Sequence, residues 1–224
     1  MNKFDLILYD LDGTVWDSIP IIMDSFHHAY EAVLGRCDRS DEDLMSYIGK
    51  PLDVTFNMHD EKTAKALLDE YLDYNHKLLA NDAIRMFPGV TDSLKRIRSA
   101  GIKQGVVTSK RGESALPTLK FKGLDDFFDV YVYKEDTDKH KPDAEPLIYA
   151  ARKMGIEDMS RVIYVGDALP DALCAGNAGS AFALVSWSKM DKEQIMKEAP
   201  DRSIVIDTFD ELITKCIDCN PDSI

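Results

Sequence analysis

Six short apolar runs, each closed by polar residues, narrow the folds open to this chain. They occupy residues 4–9, 103–107, 128–133, 161–165, 181–185 and 203–206. Such near-continuous apolar strands suit a parallel sheet covered on both faces. Helical patterns separate most of them, over residues 91–100, 113–122, 143–154 and 171–178, and stop at Gly101, Gly123, Gly155 and Gly179. The alternation predicts an α/β fold with a doubly wound parallel sheet.

The rhythm breaks once, between the first two runs. The gap is much longer than one crossover helix, and it is itself helical. Ile19, Ile22, Phe26, Tyr30 and Val33 recur at helical spacing, as do Ala64, Leu67, Leu68, Tyr71, Leu72, Leu78 and Leu79. Ser40-Asp41-Glu42-Asp43 has the form of a capping box. The expected organisation is an α/β core over 1–16 and 87–224, with a helical domain over 17–86 inserted after the first strand. Phe87-Pro88-Gly89-Val90 is the turn back to the core.

Four polar motifs follow the strands, at the carboxyl ends where open α/β sheets bind ligands. Asp10-Leu11-Asp12-Gly13-Thr14 follows the first. Paired carboxylates repel unless a hard cation relieves them. A calcium loop is excluded, because Val15 stands where its glycine belongs and Ile21 where its bidentate glutamate belongs. A plain turn is still open for the acidic pair. Thr108-Ser109-Lys110-Arg111 follows the second strand. Its hydroxyls and backbone N–H groups can cradle a phosphate, or simply cap a helix. Lys141-Pro142 offers a fixed charge to phosphate, with Lys139 and His140 as neighbouring competitors. Asp167 follows the fourth strand and can complete a metal site with Asp10. Asp171, one helical turn on, either supports that site or complements the helix dipole.

Composition removes other classes. The chain has 224 residues and a net charge of −13 (27 − 40), which lacks the footprint of a nucleic-acid binder and gives no attraction to anionic membranes. A phosphate site on such a chain needs local positive charge. No run approaches the length of a membrane span, and no secretory leader precedes the first strand, so a cytoplasmic protein is expected. The four cysteines do not form a disulfide framework. Cys216 and Cys219 make a lone C-x-x-C without the second pair a zinc site needs.

Taken together, the four motifs resemble those of the haloacid dehalogenase superfamily of phosphohydrolases. The likeness runs through nearly the whole chain and is to the phosphoglycolate-phosphatase-like branch, with a helical cap between the first and second motifs. Trp16, Ala144 and Pro170 depart from that branch's usual residues at positions between the chemical ones. The resemblance implies that Asp10 attacks phosphorus to form an aspartyl phosphate, while Asp12 protonates the leaving oxygen and later activates water. It implies Mg²⁺ held by Asp10, the backbone carbonyl of Asp12, and Asp167. Lys141 offsets charge, Thr108 and Ser109 hold phosphate, and Leu11 is expected to keep the two carboxylates on separate tasks by alternation. Lys50, in the cap run Ile48-Gly49-Lys50-Pro51, is a candidate substrate contact. The implied partner is a small phosphorylated molecule, with no nucleic acid or membrane, and a monomer suffices for such a site. A pyrophosphatase and a β-phosphoglucomutase-like phosphomutase of the same branch are alternatives. A non-catalytic regulatory or binding module is the alternative outside enzymes.

Overall fold

A computed structural model describes residues 3–216, apart from 49, 51, 81 and 82. The chain begins with strand β1 (Leu6–Tyr9), and a two-residue strand β2 (Trp16–Asp17) follows the acidic turn. Four helices come next: α1 (Ile19–Leu34), α2 (Asp41–Met45), α3 (Leu52–Thr55) and α4 (Glu61–Ala80). Strand β3 (Arg85–Met86) returns the chain, pairing antiparallel with β2 through Trp16 and Met86. The remainder alternates as α5 (Val90–Ser99), β4 (Lys103–Val107), α6 (Gly112–Phe121), β5 (Val130–Val132), α7 (Glu145–Lys153) and β6 (Val162–Gly166). It ends with α8 (Leu169–Ala178), β7 (Ala181–Val185), α9 (Lys192–Glu198), β8 (Ser203–Ile206) and α10 (Asp210–Cys216).

The main sheet has six strands in the order β5-β4-β1-β6-β7-β8, all parallel. This is the α/β fold that the alternation predicts. One apolar cluster covers each face, one around Ile7, Tyr9, Leu11 and Val106, the other around Leu6, Leu8, Leu147 and Tyr164. β1 lies between β4 and β6, so successive strands leave it in opposite directions. That reversal opens a crevice at the carboxyl ends of β4, β1 and β6.

Helix boundaries follow local chemistry. α8 begins at Leu169, two residues before Asp171, because Pro170 fits the first turn. α7 begins at Glu145, two residues later than its pattern starts, because Asp143 accepts the Glu145 N–H at 2.9 Å. The Ser40 capping box forms, with Asp43 N–H donating to Ser40 Oγ at 3.1 Å and Ser40 N–H to Asp43 Oδ2 at 3.3 Å. α1 and α4 pack together around Phe26, Tyr30, Phe56, Leu67 and Tyr71, a cluster separate from the two sheet faces. Leu78 and Leu79, at the far end of α4, pack instead against the sheet. Cys219 lies outside the described residues. Among those described, no helix is long and apolar enough to cross a membrane.

Candidate active site

Asp10 follows β1 directly, and its N–H donates to the Val165 carbonyl at 2.9 Å, which pins the turn against β6. The residue is 4% exposed. Its Oδ2 accepts from Lys141 Nζ at 2.9 Å, while Oδ1 has no partner. Asp167 follows β6, the neighbouring strand. Its Oδ1 accepts from Thr14 Oγ1 at 3.2 Å, and its Oδ2 is likewise unpartnered. Ser188 Oγ holds the Asp167 carbonyl at 2.6 Å. Asp10, Asp167 and Asp171 bring carboxylate oxygens within 4.8 Å of one another.

Asp171 is already engaged at both oxygens. Oδ1 accepts from Lys141 at 2.6 Å, and Oδ2 accepts the N–H groups of Asp167 and Ala168 at 3.2 and 3.1 Å. It therefore anchors Lys141 and caps α8, rather than offering an open ligand oxygen. Buried polar atoms are nearly always paired, so the two orphaned oxygens of Asp10 and Asp167 call for a partner. The charge count agrees. Three buried carboxylates and one ammonium leave −2 locally, which one divalent cation neutralises. The residues present thus fit a hard divalent metal.

The protonation equilibria carry the same strain. Burial pushes the Asp10 carboxyl up to about 6, against the pull of the Lys141 charge. Burial, then the charges of Asp171 and Asp10, hold Asp167 well above the carboxylate range. Burial alone would lower Lys141, but Asp10 and Asp171 overcome it and keep the ammonium firmly protonated.

Lys141 reaches this cluster by a route its motif does not reveal. It does not sit at a strand end. It lies well past Val132, beyond a 3-10 turn over Lys134–Asp136, and β5 is two strands away from β1. Its connection folds back so that Nζ also donates to Tyr164 OH at 3.1 Å, and Tyr164 in turn donates to the Val107 carbonyl at 2.8 Å. Lys139 stays at the surface beside Asp143, at 3.5 Å.

Asp12 faces a different set of groups. Trp16 Nε1 donates to Oδ1 at 2.8 Å, and Lys110 Nζ to Oδ2 at 3.3 Å. Burial would raise this carboxyl, but the Lys110 charge and the hydrogen bonds around it bring it below its ordinary value. Alternation does not separate Asp10 from Asp12. β1 ends at Tyr9, and residues two apart on a strand would share a face. The separation comes from the turn, where the N–H groups of Thr14, Val15 and Trp16 converge on the Leu11 carbonyl at 3.2, 2.9 and 3.3 Å. Leu11 itself is buried in the core.

Gly13 completes the turn at φ +77°, and a Cβ there would lie 2.3 Å from Asp167 Oδ2. Gly13→Ala is expected to cost about 1–2 kcal/mol for the left-handed backbone and to displace Asp167. Magnesium titration by calorimetry, read beside thermal melting, checks this. Unchanged cation affinity would show that Asp167 is not part of a metal site.

Thr108 follows β4, is buried, and accepts the Lys110 N–H at 3.2 Å, which leaves its hydroxyl proton to donate. The pocket above these residues is lined by Asp10, Asp12, Thr108, Ser109 and Asp167 from the sheet side. Phe26, Tyr47, Lys50, Tyr71 and Asn75 line it from the helical insert. Lys50 is exposed, with its ammonium 6.0 Å from the Tyr47 ring centre. Of the candidate residues, Asp10, Asp12, Lys50, Thr108, Ser109 and Asp167 line this pocket, while Lys141 and Asp171 are buried beside Asp10 and do not line it. The structure adds Trp16, Lys110, Tyr164 and Ser188, which no motif assigned. Lys110 stands inside the second motif and Trp16 is a departure from the expected pattern, so both left a trace in the sequence. Tyr164 and Ser188 left none. The adjacent His27 and His28 pair separately, with Asp41 and Glu70, at 2.8 and 2.9 Å.

Comparisons with known proteins show the family. The family model for haloacid dehalogenase-like hydrolases matches residues 7–185. The pyrophosphatase PpaX of Bacillus pumilus is 34% identical over 204 residues, 89% of this chain and 91% of that protein. The PpaX of Bacillus cereus (strain AH820) is 30% identical over 218 residues, 97% of this chain and 99% of the relative. The crystal structure of a predicted phosphoglycolate phosphatase from Haemophilus somnus superposes with a TM-score of 0.84 at 26% identity, covering 96% of this chain and 99% of that one. The chain therefore belongs to the haloacid dehalogenase-like hydrolase family, in its phosphoglycolate-phosphatase-like branch.

Proposed function

We propose that the protein is a magnesium-dependent phosphatase that transfers the phosphoryl group of a small molecule to Asp10 and then to water. The observation that supports this most is the state of Asp10. It is buried at the reversal of strand order, with one oxygen on Lys141 and the other unpaired within reach of Asp167. A carboxylate so placed is a nucleophile whose charge is offset without being quenched.

Asp10 forms the bond to phosphorus and holds the phosphoryl group as an aspartyl phosphate. Lys141, fixed by Asp171 and Tyr164, places a point charge beside the transferring group. Thr108, with Ser109 beside it, donates to a phosphate oxygen at the entrance to α6. Asp12 gives a proton to the leaving oxygen and takes one from water in the second half-reaction. The carboxylates of Asp10 and Asp167 and the backbone carbonyl of Asp12 would hold the metal. Bound there, magnesium supplies Lewis-acid charge stabilisation at the phosphoryl oxygens. The helices over 17–86 act as a cap domain on a core of 1–16 and 87–224. Their residues in the pocket exclude water and select the leaving group, with Lys50 a contact for an anionic substrate.

A second reading, pyrophosphatase, is favoured by one feature. Lys50, Lys110, Arg111 and Lys134 all line the pocket, on a chain whose net charge is −13. So many cations suit a leaving group that is itself an anion. The relatives from Bacillus carry the pyrophosphatase name. Purified protein with Mg²⁺ is expected to release phosphate from at least one of a panel of phosphomonoesters and pyrophosphate, and to lose that activity on chelation. The preferred substrate separates the two readings. Inertness toward the whole panel would overturn both and favour a binding module.

A further inference from the structure

Trp16 is fully buried, and the reaction outlined above gives it no role. It sits where the chain leaves the sheet for the helical insert, in the β2–β3 pair. The Gly13 N–H donates to its carbonyl at 2.9 Å, and its own N–H donates to the Leu11 carbonyl at 3.3 Å. A β-bridge joins Asp12 to Trp16. The acidic turn and Trp16 are therefore one backbone unit. From it the indole Nε1 reaches Asp12 Oδ1 at 2.8 Å.

We propose that Trp16 is a positioning residue for Asp12: its indole N–H holds Oδ1 as a fixed acceptor and leaves Oδ2 as the oxygen that passes the proton. The proposal rests on the phosphatase reading. Two differences between the clamps carry it. The indole is a donor only, a rigid ring on two rotatable bonds and fully buried in the core, so it cannot turn away. Lys110 is also a donor only, but it has a flexible stem, makes the longer contact at 3.3 Å, and lines the pocket. An arriving anionic group can draw Lys110 off Oδ2, which removes the main charge that lowers this carboxyl and lets Oδ2 take up a proton, while Oδ1 stays bound to the indole.

The proton then has one route. As Asp10 bonds to phosphorus, the bond to the leaving oxygen breaks and its electron pair stays on that oxygen. The Oδ2 proton moves to it, leaving Asp12 a carboxylate. Water next attacks the aspartyl phosphate and gives a proton to Oδ2, and the pair of the breaking bond returns to Asp10. Phosphate leaves and Asp12 carries its proton again. The indole bond is unchanged through both halves.

Trp16→Phe removes the N–H and keeps an aromatic ring. Toward an alkyl phosphate such as glycerol phosphate, whose alkoxide needs a proton to leave, kcat/KM is expected to fall about tenfold. That is a part of the ~10²–10⁴ that general acid–base catalysis supplies. Toward p-nitrophenyl phosphate, whose phenolate leaves without a proton, it should change by less than about twofold. On an Asp12→Asn background Trp16→Phe should add nothing. A second readout needs neither turnover nor a folded Trp16→Phe. The chain has two tryptophans, so Trp187→Phe leaves a single ¹⁵N-indole signal. Asp12→Ala should shift that signal upfield and speed its exchange with water. Equal losses on the two phosphates, or an indole signal indifferent to Asp12→Ala, would overturn the proposal and leave the phosphatase reading standing. A wild type inert toward the whole panel of phosphomonoesters and pyrophosphate would overturn that reading, and the proposal with it.

Discussion

Asp10→Asn is expected to lower turnover on the order of 10³-fold or more while leaving the fold intact. The loss is large because the residue is the bond-forming atom's carrier, and members of such a constellation do not substitute for one another. The fold survives because Asn matches the shape, and its carbonyl can still accept from Lys141. Without metal, the variant should be at least as stable as the wild type at neutral pH. Burial pushes the Asp10 carboxyl up to about 6 in the folded protein, from an ordinary value of 3.8. The sign follows. Asp10 contributes stability that is fully present below its ordinary value and lost as pH rises through about 6. Metal-free wild type should therefore lose ground to Asp10→Asn between about pH 4 and pH 7. Magnesium should reverse that order, since only the wild type offers the full ligand set. Melting curves across pH, with and without Mg²⁺, check the stability half, and phosphate release checks the other. Turnover within tenfold of wild type would move the nucleophile to another residue.

The strands of this fold are legible because each is a short apolar run between breakers. β4, β7 and β8 coincide with their runs, and the helix stops at Gly101, Gly123, Gly155 and Gly179 are real left-handed turns. Strand order is not legible. Parallel strands buried on both faces carry no pairing signal in their own residues. The crevice at Asp10 depends on that order, since β1 must lie between β4 and β6. Chemical residue types could be read from motif spacing, but their partners could not. Nothing in Lys141-Pro142 tells that the preceding connection folds back across a strand, because irregular chain has no periodicity to read. The division of Asp171 between Lys141 and two backbone N–H groups is likewise a product of burial rather than of spacing. Trp16 shows the converse case. It stood out in the sequence as a departure, but only the bridge to Asp12 gives the departure a meaning.

Lys141→Met should strongly destabilise the metal-free protein. Lys141 is 5% exposed, and its ammonium is shared by Asp10 and Asp171 at 2.9 and 2.6 Å. Methionine fills similar space, so the cost is electrostatic and not a cavity. Removing one partner of a buried ion pair leaves an uncompensated charge and typically costs about 3–5 kcal/mol. For a chain of this length that corresponds to a melting temperature roughly 6–20 °C lower. Acid should restore part of the loss, because carboxylates that take up protons no longer need the ammonium. Magnesium should restore another part by supplying positive charge at the same cluster. Neither should restore turnover, since the point charge beside the transferring phosphoryl group is gone. Lys139→Met is the matched control. Lys139 pairs with Asp143 at the surface, where such pairs contribute about 0–1 kcal/mol, and its loss should barely move the melting temperature. If the two variants melt within a few degrees of each other in the absence of metal, the buried cluster is not held together by Lys141. The −2 charge count that calls for a divalent cation would then fail with it.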